Sequence, residues 1–312
     1  MKKRQLDPPT TFSDVVSGIF IHFCRKYLYV SQWSRILYVG TFVFLGSLLS
    51  FMLPLPRNWY FAQKHNFLNQ YVGKLSWGWT LLTVGPFITL TSLVYSCGDW
   101  RNVRQQLARL VVGTGVWLLV TSSFVRIERN TGAHCVFLTA AGETNSTETV
   151  TSFSLSRSAC VSKGGNWVSG FDISGHCFLL VYCCFLIAEE VRVFRNWDKI
   201  PELLQARGGP TEPPELSLLS DTEIATSLRL HAQYTPWIKL LFVCLALLHA
   251  CFDFLLFVTT LFYHTFMHKM IAGVVAVLCW LLTYRCWFQF AWSPGMPGHC
   301  KLRYVNWRRR AM

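Results

Sequence analysis

His176 and His264 are the side chains of this chain best placed for covalent chemistry, because each stands at one end of a long apolar run. Imidazole acts as a nucleophile or a general acid near neutral pH, so two of them facing one pocket could divide attack on phosphorus from protonation of the leaving oxygen. Such a division needs no metal and no cofactor. No pair of histidines has zinc-ligand spacing except His264 and His268, and two ligands make an incomplete site. The plain alternative is that histidines and aromatic residues simply populate a membrane interface.

The run Asp172-Ile173-Ser174-Gly175-His176 sets a hydroxyl and a glycine beside the first imidazole, just before a predicted helix. Ser174 can donate to a phosphoryl oxygen, Gly175 lets an oxyanion approach the backbone, and free amides at a helix start attract phosphate. A Ser-Gly pair is also an ordinary helix cap. Charge developing on phosphorus calls for a cation, and Lys64 and Lys74 are the candidates. Snorkelling at an interface is the other use such lysines have.

The elements that must bring these residues together are membrane helices. Of 312 residues, 52% are hydrophobic, 15% aromatic and only 14% charged, which excludes an ordinary soluble domain. The net charge of +13 is scattered between apolar runs, so a membrane surface is its expected partner and nucleic acid is not. Phe12 to Val30 is broken by Asp14, His22, Arg25 and Lys26 and reads as an interfacial amphipathic helix, with no cleavable signal peptide before it.

Spans of roughly 20 apolar residues are expected at Ile36 to Leu55, Ser76 to Cys97, Ala108 to Val125, His176 to Val193, Pro236 to Tyr263 and Lys269 to Phe290. The expected fold is an all-α integral membrane protein with six transmembrane helices. Its parts are a cytosolic segment 1–35, a membrane domain 36–290 containing a luminal loop 126–175 and a cytosolic linker 196–235, and a basic tail 291–312. The basic residues near both termini, among them Lys2, Lys3 and Arg4 and then Arg308 to Arg310, place both ends in the cytosol. Arg57, Lys64 and Lys74 oppose that rule, which invites a functional reading of the first luminal loop. Asn145-Ser146-Thr147 is a glycosylation sequon and agrees with a luminal loop. Cys135 and Cys160 would then share an oxidising compartment, where they either pair or stay free. The linker, with Gly208-Gly209-Pro210 and Pro213-Pro214, is expected to be a flexible connector.

Ser174-Gly175-His176 resembles the second motif of the lipid phosphate phosphatases. The run from Ser174 to Leu180 with Glu189-Glu190 closely resembles the fat storage-inducing transmembrane proteins, as do Tyr263-His264-Thr265, His268-Lys269, Trp280 to Tyr284 and Trp77 to Thr80. The resemblance implies a six-span protein of the endoplasmic reticulum, related to the lipid phosphatase helical bundle and needed for lipid-droplet formation. It implies binding of diacylglycerol and triacylglycerol. It also implies luminal cleavage of fatty acyl-CoA to acyl 4'-phosphopantetheine and adenosine 3',5'-bisphosphate. His264 matches the nucleophile and His176 the acid for the leaving group, with Ser174 and Gly175 on the phosphoryl oxygens. Two departures stand out: His268 occupies the place of the phosphatase acid that follows the nucleophile, and the lysine-containing first motif is absent. Asp172, through space, or His268 could orient His264. The rival reading is a non-catalytic protein that partitions neutral lipid into droplets.

Two further pairs are expected to be structural. His249 and Asp253 share one face of the fifth span, and Asp253 falls about 16 Å along the helix from His264, so an inter-helix or lipid-cavity contact is expected. Glu189 and Glu190 lie near the cytosolic boundary and are expected to be solvated at a helix end.

Overall fold

A computed structural model describes residues 12–53, 58–63, 65–140, 147–152, 155–205 and 219–302. Among the described residues, five helices are long and apolar enough to cross a membrane: α2 (Gln32–Met52), α3 (Ser76–Tyr95), α4 (Trp100–Asn130), α8 (Asp221–Phe262) and α9 (Phe266–Trp280), the last continuing through helical turns to Gln289. The expected fourth span is α6 (Gly175–Glu190), whose 16 residues make a rod of about 24 Å against the ~30 Å hydrocarbon core. It is buried at every position from Cys177 to Glu190 and packs against α3, α4, α8 and α9. Being apolar on all sides, α6 has no face to give to water and serves as the axis of the bundle.

α1 (Phe12–Leu28) touches the bundle through Ile21, Cys24, Arg25 and Leu28, one face of a helix, and leaves Phe12, Ile19, Phe20 and Phe23 exposed. That is the surface helix its interrupted apolar pattern predicts. The closest approach of α2 to α8 depends on Gly46: a Cβ there would lie 2.6 Å from the Thr260 hydroxyl.

The solvated helix end expected at Glu189 and Glu190 is not found, since they are 2% and 1% exposed. A 3-10 segment, Val191–Lys199, turns back against the end of α6 and closes it from solvent. Both carboxylates therefore need cations. Arg109 of α4 holds Glu190 through two bonds of 2.7 Å, and the Tyr284 hydroxyl donates a third of 2.7 Å. Arg285 donates to Glu189 at 3.0 Å, and Gln32 of α2 bonds the same carboxylate.

The expected connector 196–235 is instead helical over 196–205 and from Asp221 onward. It consists of the 3-10 segment, α7 (Ile200–Gln205) and the first turns of α8, which runs unbroken through Pro236. Trp197 is fully buried, its indole donating to Thr235 at 2.9 Å, which anchors the described turns of this stretch to α8. Gly208 to Pro214 fall outside the described residues.

The long loop between α4 and α6 forms a small cap. Strands β1 (His134–Ala140), β2 (Thr147–Ser152) and β3 (Asn166–Val168) make an antiparallel sheet in the order β2-β1-β3. The short helix α5 (Arg157–Ser162) is joined to β1 by a Cys135–Cys160 disulfide, so the two cysteines are paired. The Trp167 indole donates to Glu128 at 3.0 Å, which seats the cap on the end of α4. Asn145 and Lys64 lie outside the described residues.

The end of α1 and the C-terminal described residues are fastened at the end of the bundle opposite this cap. There Leu302 N donates to Tyr95 O at 2.9 Å, Arg25 pairs with Asp198 at 2.6 Å, and Lys301 bridges Glu223 at 2.8 Å.

Candidate active site

The cap end of the bundle holds a cavity of about 840 Å³ lined by His176, His264, His268, Asp172, Gly175 and Lys74, with Arg157 reaching in from α5. Residues far apart in the chain thus share one polar chamber, brought there by several different elements.

His176 is the second residue of α6 and faces the segment Leu68–Gly73, a π-helical turn. A Cβ on Gly73 would stand 3.6 Å from the His176 ring, an ordinary contact distance, so the imidazole packs directly against this turn. Its Nε2 is buried and has no hydrogen-bond partner among the described residues. A buried imidazole nitrogen without a partner is costly unless a ligand group meets it.

His264 sits in the turn between α8 and α9 with φ +57°, a left-handed conformation that costs a non-glycine residue about 1 kcal/mol or more. The turn is held from both sides. The Tyr263 hydroxyl lies 3.0 Å from the carbonyl oxygens of Phe61 and Gln63, and buried Lys269 donates to Thr260 O at 2.6 Å. Strain fixed in this way aims a side chain that the backbone would otherwise leave free.

Asp172, on the segment leading into α6, presents Oδ2 at 3.6 Å from His264 Nδ1. The same oxygen is 3.7 Å from a guanidinium nitrogen of Arg157. Both distances are long for hydrogen bonds and of the kind that tighten when substrate fills a site. A carboxylate at Nδ1 favours the tautomer with its proton there, which leaves the Nε2 lone pair for attack.

Ser174 takes the capping role that its sequence also allowed. It is fully buried behind the cavity wall, and its Oγ accepts from Cys177 N at 3.3 Å. Its hydroxyl oxygen caps the helix start, and Ser174 is not among the described residues that line the cavity. Gly175 lines the cavity with open space above its Cα, where a phosphoryl oxygen can meet the amides of the helix N-terminus. His268 packs edge-on against Phe171 at 4.5 Å between ring centroids, and its carbonyl accepts from Ser174 N at 3.3 Å. It ties α9 to the entry of α6, while Asp172 is the group that faces His264 Nδ1. Lys74 lines the cavity with its ammonium on Gln70 Oε1 at 2.7 Å. Arg157 carried no local motif in the sequence. Only the spacing of Cys135 and Cys160 hinted that its segment is fastened.

A second polar cluster lies deeper in the bundle. Cys184, His249 and Asp253 place ligand-type atoms within 4.8 Å of one another. Arg35 decides their use, because its guanidinium, which only donates, stands 2.7 Å from His249 Nε2. Nε2 must accept, so Nδ1 carries the proton, passes it toward the Tyr27 hydroxyl at 2.8 Å, and Tyr27 donates to Asp253. A protonated Nδ1 does not ligate a metal. The chain of donors instead ties α1 and α2 to α8, the inter-helix contact expected of His249 and Asp253.

Comparison with known proteins identifies a family for the chain. A family model described as fat storage-inducing transmembrane protein matches residues 57–284. The chain is 32% identical over 310 residues to a Drosophila melanogaster protein named acyl-coenzyme A diphosphatase FITM2, covering 95% of this chain and 68% of that one. It is 30% identical to the Caenorhabditis elegans protein of that name, over 91% of this chain and 88% of the relative. The Homo sapiens protein of that name is 33% identical over 81% of each chain. No solved structure matches the chain.

Proposed function

This chain belongs to the fat storage-inducing transmembrane protein family, and from that premise we propose that it hydrolyses the phosphoanhydride of fatty acyl-CoA in the cavity beneath the cap. The relatives' printed activity, acyl-coenzyme A diphosphatase, supplies the substrate and the bond. The observation that carries the reading to particular residues is the meeting of His176, His264 and Asp172 in one chamber.

His264 attacks one phosphorus through Nε2 while Asp172 holds Nδ1. The bridging oxygen leaves with the proton of His176, and water then hydrolyses the phosphohistidine, releasing acyl 4'-phosphopantetheine and adenosine 3',5'-bisphosphate. Lys74 and the amides at Gly175 offset the charge on the phosphoryl oxygens. Lys64, outside the described residues, shares that role by its place in the same loop.

We place the cap end in the lumen of the endoplasmic reticulum, both termini in the cytosol, and α6 as a sixth span. The basic termini, the sequon at Asn145 and the anchoring of Leu302 and Lys301 opposite the cap support this orientation. A groove of about 730 Å³ between α2 and α8, walled by Leu37, Phe42, Leu45, Leu49, Phe257 and Leu261, favours a second capacity, the binding of diacylglycerol or triacylglycerol. It lies across α8 from the cavity, since Phe257 and Leu261 each stand two positions from cavity residues Thr259 and Tyr263, and such pairs point to opposite sides of a helix.

The test is turnover of oleoyl-CoA by purified protein in detergent. His176→Ala and His264→Ala should each lower kcat by roughly 100-fold or more at unchanged thermal midpoint. An equal trace rate in all three proteins would mark contamination and leave lipid binding as the function.

A further inference from the structure

The lysine-bearing first motif of the lipid phosphatases has no counterpart here, and Lys74 is exposed and already bonded to Gln70. The cavity nonetheless holds a second described cation, Arg157, on a part of the chain remote from both histidines.

Arg157 opens α5, which Ser156 caps by accepting from Ala159 N at 3.3 Å. Three residues on, Cys160 is bonded to Cys135 in β1, and β1 is paired to β3 with Cys135 opposite Trp167. Trp167 is in turn bonded to α4. The packing around the disulfide tolerates no side chain at Gly165, where a Cβ would stand 2.5 Å from Cys135 Sγ. The guanidinium is thus delivered to the cavity by a cross-linked cap seated on the bundle. It is half exposed, and its ion-pair partner is the Asp172 oxygen that also faces His264.

Given the hydrolase reading above, we propose that Arg157 is the diphosphate-binding residue of the cavity, and that Asp172 holds it only until substrate arrives. A guanidinium fork matches two phosphoryl oxygens better than one carboxylate oxygen at 3.7 Å. Substrate therefore draws Arg157 from Asp172 and leaves that carboxylate to His264 alone. Binding of the anion and orientation of the nucleophile become one event. The bound group is the diphosphate under attack, because Arg157 and His264 share Asp172, and not the 3'-phosphate of the adenosine moiety.

The experiment uses the full chain in detergent, with Arg157→Ala and Arg157→Lys against oleoyl-CoA and 3'-dephospho-oleoyl-CoA, and a parallel titration with inorganic pyrophosphate. Arg157→Ala should lower kcat/KM by roughly 100-fold and equally on both substrates, with Arg157→Lys recovering part of the loss because it keeps the charge but not the fork. A loss confined to the 3'-phosphorylated substrate overturns the assignment to the diphosphate. Unchanged pyrophosphate affinity in Arg157→Ala overturns the site itself, whatever the turnover. Arg157-dependent pyrophosphate binding by a wild-type protein that leaves oleoyl-CoA intact would sink the hydrolase reading and keep this one.

Discussion

The carboxylate of Asp172 stands 3.6 Å from Nδ1 of His264, although one belongs to the approach to α6 and the other to the turn between α8 and α9. The pair exists only because the cap, α6 and the start of α9 converge at one end of the bundle.

That pairing makes Asp172→Asn a sharp test. The amide keeps the shape but loses the charge that stabilises an imidazole carrying positive charge during attack. Steady-state kinetics should show kcat down by about 100-fold with KM nearly unchanged. A change in KM alone would assign Asp172 to substrate binding instead.

Removing the cap's cross-link should cost both stability and turnover. Replacing Cys135 and Cys160 together by Ser releases a loop closed across 25 positions, worth about 3 kcal/mol on the loop-entropy account. Limited proteolysis should then cut between β1 and α5, and kcat/KM should fall in the direction of Arg157→Ala. Proteolysis indistinguishable from wild type would mean that the sheet alone fastens the cap.

The buried pair Arg109–Glu190 is a stability element at the end of the bundle away from the site, with side chains only 2% and 1% exposed. Glu190→Ala leaves a guanidinium buried without its anion and should destabilise by about 3–5 kcal/mol. The joint replacement Arg109→Met with Glu190→Leu should be far milder, because it removes both desolvated charges. Thermal unfolding in detergent decides, and equal midpoints for the two variants would contradict the account.

Orientation is readable from Asn145. Expressed in cells, the protein should carry an endoglycosidase-sensitive glycan that Asn145→Gln abolishes. If instead a sequon introduced in the tail after Leu302 is glycosylated and Asn145 is not, the membrane orientation proposed here is inverted.

The groove between α2 and α8 separates the two capacities. Leu45→Trp should fill it and weaken binding of radiolabelled triacylglycerol several-fold while leaving oleoyl-CoA turnover intact, because the groove and the cavity lie on opposite sides of α8. Parallel loss of both would show that they are one site.

Much of the architecture was legible in the apolar runs, because a bilayer imposes a minimum length on any helix that crosses it. The expected spans beginning at Ser76 and Lys269 recur within a few residues in α3 and α9. The fourth expected span proved shorter than its neighbours, since the polar pair Glu189 and Glu190 ends α6 inside protein where water had been expected. The helical connector was missed for a related reason. Its glycines and prolines at 208–214 lie outside the described residues, while the burial of Trp197, which anchors the helical turns beside them, is a tertiary contact.

The candidate site divides in the same way. His176 and His264 could be picked out by residue type and by their place at span ends, because few side chains can both attack phosphorus and return a proton. Ser174 could be read as cap or as ligand, and the cap is visible only in its buried contact with Cys177 N. Arg157 could not be found at all from its neighbours in the chain. A disulfide and three short strands carry it across the loop to Asp172, and such through-space proximity leaves no periodicity to read. Residue chemistry and span ends are local properties written in the chain, whereas the company each side chain keeps is set by which helix ends the packed bundle brings together.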